Sequence, residues 1–202
     1  MQSRIFLGPN ADLPRKCAFS ARDRIDETVN RIRSVRDERY RYNRNFMPEQ
    51  SLAVLNRYRE KCFLVMPLAR QLHAEGKLKG PALALVAPRL PEEELFDTEN
   101  DPFEVKNLLD SKAPEHREAI LRLRTALDVW ITETDDRGRF PEPAEVVAPF
   151  EKKMHDWFGT PAWYKEPQLG GRESSEVGRG APPLLHVNLL CKDNIGAPSE
   201  MK

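Results

Sequence analysis

The clearest structural signal in the chain is Arg31-Ile-Arg-Ser-Val-Arg-Asp-Glu-Arg-Tyr-Arg-Tyr-Asn-Arg-Asn-Phe46. Residues 32–36 and 39–46 are rich in strand-forming side chains, and the Asp-Glu pair between them suits a turn. In the second run the aromatic residues occupy one face and the basic and amide residues the other: Tyr40, Tyr42 and Phe46 against Arg39, Arg41, Asn43 and Asn45. This pattern predicts a β-hairpin within an antiparallel sheet that has one apolar and one wet face.

The flanking sequence extends this hairpin into a mixed fold. Residues 17–22 alternate apolar and polar side chains and residues 94–98 form a short strand-like run, so both are predicted strands. Pro114 suits the first position of a helix, and an apolar stripe continues that helix to about residue 135: Ile120, Leu123, Leu127, Trp130 and Ile131. We therefore predict an α+β fold in which a small antiparallel sheet of three or four strands packs against the long helix 114–135.

Between the hairpin and the last strand, the apolar spacing changes to that of a helix. The stripe has three- and four-residue steps: Leu52, Leu55, Cys62, Met66 and Ala69. We expect a helix that starts near Ser51, that Pro67 kinks or restarts, and that Gly76 ends. After the break at Pro141-Glu-Pro143, a shorter helix is expected to extend to about Trp157.

Composition divides the chain into three parts. Residues 1–16 are a connecting segment, since Pro9 and Pro14 interrupt any regular element. Residues 17–165 carry the predicted strands and helices. Residues 166–202 are rich in Gly, Ser, Pro and charged residues, and their apolar run 184–190 is too short to build a core, so a disordered tail is predicted.

Charge and cysteine content exclude several classes of function. The formal net charge is zero, which argues against a nucleic-acid partner held by phosphate contacts. Residues 15–46 nevertheless contain ten Lys/Arg against five Asp/Glu, so this segment could receive an anionic partner. The three cysteines are too widely spaced for a zinc site or a disulfide framework. No apolar run is long enough to span a bilayer, so no membrane partner is expected.

Three stretches together carry a resemblance to a known family. Phe19-Ser-Ala-Arg-Asp-Arg-Ile-Asp-Glu-Thr28 leads into the hairpin, which fits R-x-V-R-x-x-R-Y-(K/R)-Y-x-x-N over residues 33–45. Glu93-Glu-Leu-Phe-Asp-Thr-Glu-Asn-Asp-Pro-Phe-Glu-Val-Lys-Asn-Leu-Leu109 fits E-L-(Y/F)-D-x-x-x-D-P-x-E-x-x-N-L. In this order the stretches resemble the C-terminal region of type I sulfatases, in particular heparan N-sulfatases (N-sulfoglucosamine sulfohydrolases) and bacterial arylsulfatase relatives. The resemblance covers about residues 5–165.

The resemblance implies that residues 17–165 are a sulfatase C-terminal subdomain, whose parent reaction is hydrolysis of sulfate esters or sulfamates on glycans. In this family a large N-terminal domain carries a calcium ion and a formylglycine nucleophile made from C/S-x-P-S-R. Cys17-Ala-Phe-Ser-Ala-Arg22 departs from that motif, because Phe19 replaces the proline and an extra residue precedes the arginine. We therefore expect no cofactor and no catalytic residue in this chain, with the N-terminal catalytic domain as its missing partner.

The resemblance also places the loop after the first strand near the mouth of the active site. Its candidate substrate-binding residues are Arg22, Arg24, Asp26 and Glu27, which would contact the sulfated glycan of the parent enzyme. A guanidinium pairs well with a sulfate or a uronate carboxylate through parallel N–H donors. The alternative is a salt-bridged loop on a charged surface.

The acidic residues after the last strand admit two interpretations: Asp97, Glu99, Asp101 and Glu104. Their spacing lacks the glycine and the twelfth-position glutamate of an EF-hand calcium loop. A turn followed by a helix cap, with Asp101 opening a short helix through Asn107, is favoured over a calcium site.

Two other hypotheses concern the chain as a whole. It is either a free-standing interaction module whose basic hairpin binds an acidic partner, or a truncated or mis-started gene product. The start at Met1 and the unusual tail favour truncation. The first residues lack the apolar segment of a signal peptide, whereas the parent enzymes are typically periplasmic, secreted or lysosomal, so the localisation stays open.

Overall fold

The computed structural model describes residues 5, 7–10, 12–13 and 15–164 of the chain. The elements follow in this order: β1 (Ala18–Ile25), β2 (Thr28–Arg36), β3 (Tyr40–Asn45), α1 (Arg57–Cys62), α2 (Val65–Ala74), a 3-10 turn (Gly80–Val86), β4 (Glu93–Asp97), α3 (Pro114–Glu133), a 3-10 turn (Arg137–Arg139) and α4 (Ala144–Phe158). The predicted α+β class is confirmed. The predicted tail, 166–202, lies outside the described residues.

The strands form one antiparallel four-stranded sheet in the order β1-β2-β3-β4. The β2–β3 hairpin is the predicted one, and its turn is fixed by Asp37, whose Oδ1 accepts hydrogen bonds from the N–H groups of Arg39 (3.0 Å) and Tyr40 (2.7 Å). An aspartate that accepts from the backbone two or three residues on stabilises such turns. The β1–β2 register shifts between Arg22 and Arg24, a β-bulge that redirects the side chains at the end of this hairpin.

The core lies between the sheet and α3. Val35, Tyr42 and Leu95 pair across three neighbouring strands and are all fully buried. Leu123 and Leu127 of α3 are also fully buried. The rest of this cluster comes from the same two layers and from the loop before α3: Tyr40, Leu108, Ala119, Ile120 and Ile131. Helix 114–135 therefore packs across the sheet as predicted.

The predicted helix from residue 51 is wrong at its start and at its break. Residues 51–56 form a loop, because Asn56 caps the helix by accepting a 2.8 Å hydrogen bond from the N–H of Arg59. The break falls at Phe63-Leu64, before Pro67, which sits in the first turn of α2 where its missing N–H costs nothing. Gly76 does follow the helix end, with a φ of 67°, as a left-handed terminating residue.

The short helix predicted after Asp101 is also absent from the described residues, where 101–107 form turns. Asp101 accepts the N–H of Lys106 at 2.8 Å, and Glu104 has a φ of 53°. The Asn107 side chain instead accepts the N–H of Leu95 at 3.0 Å, which fixes the loop against β4. Among the described helices, none is both long and apolar enough to cross a membrane.

Candidate functional site

Two of the four candidate substrate residues meet at the end of the β1–β2 hairpin. Asp26 is a turn residue with a φ of 54°, and its carbonyl accepts a hydrogen bond from Arg24 Nη1 at 2.8 Å. Arg24 Nε donates to Glu142 Oε2 at 2.7 Å, and its guanidinium lies 4.0 Å from the centre of the Phe150 ring. Arg24 therefore joins the hairpin to the segment around α4.

The other two candidates lie apart from that pair. Glu27 is buried, and its Oε1 accepts the N–H of Arg57 at 2.7 Å, so it caps the start of α1. Arg22 is half-buried and has no side-chain partner among the described residues. Burial and the positive charge of Arg59 lower the pKa of Arg22. The structure thus gives Glu27 a structural contact and leaves the Arg22 donors unused by the described residues.

A buried ion cluster lies beside this hairpin end. Arg33 is fully buried, with Nε and Nη2 donating to Asp136 at 2.7 and 2.9 Å and Nη1 lying 2.7 Å from Asp23 Oδ1. Burial opposes the charged form of Arg33, but its hydrogen bonds to Asp136 and Asp23 outweigh burial and raise the pKa. Sequence reasoning missed this cluster, although Arg33 shares the inward face of β2 with Val35.

A cleft of about 260 Å³ opens next to the cluster, and we call it the Arg31 cleft. It is lined by β1–β2 residues and by the segment before α4: Asp23, Val29, Arg31, Arg137, Gly138, Phe140, Pro141, Glu142 and Pro143. Gly138 lies close to the ion cluster, because a Cβ at this position would lie 2.5 Å from Asp23 Oδ2 and 2.6 Å from Arg33 Nη2, and a larger residue would have to displace these side-chain ends. None of the four predicted candidates lines the cleft. Its walls form where residues 137–143 pack against the bulged β1–β2 pair, a long-range contact that the sequence does not reveal.

The acidic run after β4 does not fit a calcium ion. Asp97 accepts from Arg39 at 2.6 Å and from the Asn100 side chain at 2.9 Å. These hydrogen bonds lower the pKa of Asp97, and the one from Arg39 has the largest effect. Glu104 accepts from Arg41 at 2.8 Å. Asp97 and Glu104 are thus engaged by arginines and Asp101 by a backbone N–H, and residues 15–164 contain no group of three or more His, Cys, Asp or Glu suited to a metal.

The helical side of the molecule carries an exposed apolar surface. We call it the apolar ridge and define it by five residues that are each 43–62% exposed: Phe63, Leu64, Val65, Leu68 and Leu83. They belong to the start of α2 and to the 3-10 turn that packs against it. Contiguous apolar surface on a soluble protein commonly marks an interaction site.

Comparison with known proteins finds a sulfatase that is similar in sequence to most of this chain. The chain is 41% identical over 142 residues to an ulvan-active sulfatase of Formosa agariphila, an alignment that covers 70% of the chain. The chain is related to the sulfatases. This relationship is consistent with the C-terminal sulfatase region that the hairpin and the Glu93–Leu109 stretch indicate. The chain spans about 23% of that relative's length. No family model matches it.

Two solved structures show a weaker similarity to this chain. A 2-O GAG sulfatase is 21% identical, with a TM-score of 0.35 and coverage of 66% of this chain and 22% of the other. A sulfatase from Bacteroides thetaiotaomicron is 20% identical, with a TM-score of 0.34 and coverage of 68% and 22%. At these scores the two structures carry no argument about the fold.

Proposed function

We propose that this chain is the non-catalytic accessory part of a sulfatase that acts on a sulfated glycan. The apolar ridge would pack on the catalytic domain, and the β1–β2 hairpin end would face the substrate. The observation that carries the proposal is the ridge itself, in a chain that spans about 23% of the length of its sulfatase relative. Fully burying an exposed side chain of this kind is worth about 1.5–3 kcal/mol, and the ridge side chains, which are about half exposed, would gain part of that against a catalytic domain.

The absence of a nucleophile motif supports the non-catalytic role. The printed sequence contains no C/S-x-P-S-R stretch. The nearest match, which begins at Cys17, leads into β1, where Phe19 stacks on Trp130 of α3 with 5.3 Å between ring centres. In this arrangement Phe19 serves the core.

The candidate substrate contacts follow from the charges at the hairpin end. Arg22 offers guanidinium donors that no described residue uses, and Arg24 is already oriented by Glu142 and the Phe150 ring. Asp26 and Glu27 would act indirectly, by holding the turn in shape. The Asp26 carbonyl accepts from Arg24, and the Glu27 carboxylate caps α1. The calcium and formylglycine of the parent family would lie on the catalytic domain.

The alternative of a free-standing module with a basic hairpin receives less support. Four hairpin arginines are ion-paired within the fold: Arg33 with Asp136, Arg39 with Asp97, Arg41 with Glu104 and Arg44 with Asp128. An acidic partner would have to displace these carboxylates. The basic excess read from the sequence is therefore largely neutralised by tertiary contacts.

The test is association with a catalytic domain. The purified chain is mixed with the Formosa agariphila relative from which the matching segment has been deleted, and complex formation is followed by analytical ultracentrifugation. Val65→Ser/Leu68→Ser is the ridge variant, and Leu121→Ser, an exposed site on α3, is the matched control. We expect the wild-type chain and the control to form the complex and the ridge variant to bind at least about tenfold more weakly.

Two results would contradict the proposal. One is a chain that stays monomeric, binds no hydrophobic dye and ignores the catalytic domain, which would favour the free-standing module. The other is hydrolysis of an aryl sulfate by the chain alone that survives both Cys17→Ser and a chelator.

A further inference from the structure

The Arg31 cleft contains a guanidinium that the fold does not neutralise. Arg31 is half-buried, its Nε is buried without a hydrogen-bond partner, and no side-chain contact ties it to another described residue. A buried donor left without an acceptor costs about 1–3 kcal/mol. Native proteins seldom retain such a group unless water, an ion or a ligand satisfies it.

The carboxylates in the cleft are engaged elsewhere. Asp23 lies 2.7 Å from Arg33 Nη1, and Glu142 accepts from Arg24 at 2.7 Å. Neither carboxylate comes within ion-pair distance of Arg31. Each ion pair uses only part of a carboxylate's acceptor capacity, which is about four lone-pair sites. The remaining sites can accept hydrogen bonds from hydroxyl groups.

The other walls are flat and apolar. Val29, Phe140, Pro141 and Pro143 line the cleft. Phe140 is 55% exposed, and the Arg139 guanidinium lies over its ring, 4.4 Å from the centre. Rings of this kind pack against the C–H faces of another ring. The volume of about 260 Å³ is at the lower limit for small-molecule sites, about 300 Å³, and therefore suits a single ring.

We propose that the Arg31 cleft binds one anionic sugar unit, with Arg31 holding its carboxylate or sulfate. Asp23 and Glu142 accept from the hydroxyl groups, and Phe140 packs against the ring. A planar guanidinium binds either oxyanion through two parallel N–H donors. The site goes beyond the proposed function, because it lies within this chain and requires no catalytic domain.

The cleft is held in shape before any ligand arrives. Gly138 packs closely on the side-chain ends of Asp23 and Arg33, and Arg139 Nη1 donates to the Asp136 carbonyl at 2.8 Å. These contacts fix the segment that carries Phe140. A preformed site loses less entropy on binding.

The experiment titrates four probes into the full chain and follows backbone amide shifts by NMR. Glucuronate and glucose 6-sulfate carry an anion on a ring, glucose is the neutral ring, and inorganic sulfate is the anion without a ring. The variants are Arg31→Gln, Arg31→Lys and Phe140→Ala. Arg36→Gln, an exposed arginine on the same strand, is the matched control, and thermal unfolding checks that each variant is folded.

We expect shifts at residues 23, 31 and 137–143 with at least one of the two anionic sugars, and the stronger of them identifies the oxyanion. Glucose and inorganic sulfate should bind the wild-type chain at least about tenfold more weakly than the anionic sugar does. The Arg31→Gln variant should bind the anionic sugars at least about tenfold more weakly than the wild-type chain does. Arg31→Lys should bind at an intermediate level and Arg36→Gln like wild type. If Arg31→Gln does not fold, Arg31→Lys and Phe140→Ala must each weaken binding.

Three outcomes would overturn the assignment. No shift in the cleft with either anionic sugar would exclude the site. If inorganic sulfate bound as tightly as the anionic sugars, the sugar ring would have no role in binding. If glucose bound as tightly as the anionic sugars, Arg31 would have no role in binding. None of these outcomes bears on whether the apolar ridge docks on a catalytic domain.

Discussion

The sheet with α3 and the helical region of α1, α2 and the 80–86 turn use their apolar residues in opposite ways. In the first region Val35, Tyr42, Leu123 and Leu127 are fully buried. In the second, Met66 and Ala69 are buried, whereas the side chains of the apolar ridge point into solvent. The first region therefore buries its apolar side chains within the fold, whereas the second leaves apolar side chains exposed that another protein surface could cover.

Ion pairs occur in both regions: in the helical region Arg70 pairs with Glu60, and the buried Arg57 lies 3.6 Å from Glu27. Around the sheet, arginines are held by carboxylates from distant segments, as Arg33 is by Asp136 and Arg44 by Asp128. These two pairs join residues 103 and 84 positions apart in the chain. Because Arg33 is fully buried, breaking its pair should destabilise the fold of the first region. We therefore expect substitutions there to change the free energy of unfolding and substitutions in the ridge to change association instead.

The largest expected effect is at the buried guanidinium. Arg33→Met leaves the carboxylates of Asp136 and Asp23 without their partner, and breaking a buried pair in this way costs about 3–5 kcal/mol. Urea unfolding measures the loss, with Arg137→Gln, at a site 85% exposed, as the control that should change little. A loss below about 1 kcal/mol would mean that the ion cluster is not part of the structural framework.

The next prediction compares the same substitution, Leu to Ala, in the core and in the apolar ridge. Leu127→Ala should lower the free energy of unfolding by about 2–5 kcal/mol, because it opens a cavity in the core. Leu68→Ala removes the same atoms from an exposed ridge position and should change it by less than about 0.5 kcal/mol. Chemical denaturation of both variants checks the comparison, and equal losses would show that the ridge is buried in solution, for instance by self-association.

The smallest effect depends on pH. The hydrogen bonds of Arg39 and Asn100 lower the pKa of Asp97 below its unfolded value, which is about 3.9. Ionised Asp97 therefore stabilises the fold above about pH 4, and that contribution is lost as the pH falls through the folded-state pKa.

Asp97→Asn should accordingly cost about 2 kcal/mol at pH 7, and its difference from wild type should shrink steadily as the pH is lowered below 4. Unfolding curves at several pH values give the difference, and the exposed Asp110→Asn serves as the control. A difference that is independent of pH would assign the loss to packing rather than to the carboxylate charge.

Local patterns that repeat along the chain were predictable from the sequence. The alternation of Tyr40 and Tyr42 with basic residues is enough to specify a strand, and the stripe that contains Leu123 and Leu127 is enough to specify α3. Both signals depend on the fixed side-chain periods of strand and helix. The helix near residue 51 was misplaced because its start depends on one cap, Asn56, which competes with an apolar spacing that continues upstream.

The α+β class, the hairpin, the long helix and the resemblance to sulfatases could all be predicted from the amino-acid sequence, because each rests on patterns among residues close together in the chain. Which arginines are ion-paired depends instead on contacts between distant segments. Arg33 and Arg31 are two residues apart on the same strand, yet one is buried between carboxylates that include Asp136 and the other faces a cleft without a partner among the described residues. The two arginines differ because the segment after α3 brings Asp136 against Arg33 and not against Arg31. No local pattern in the sequence predicts which of the two it reaches.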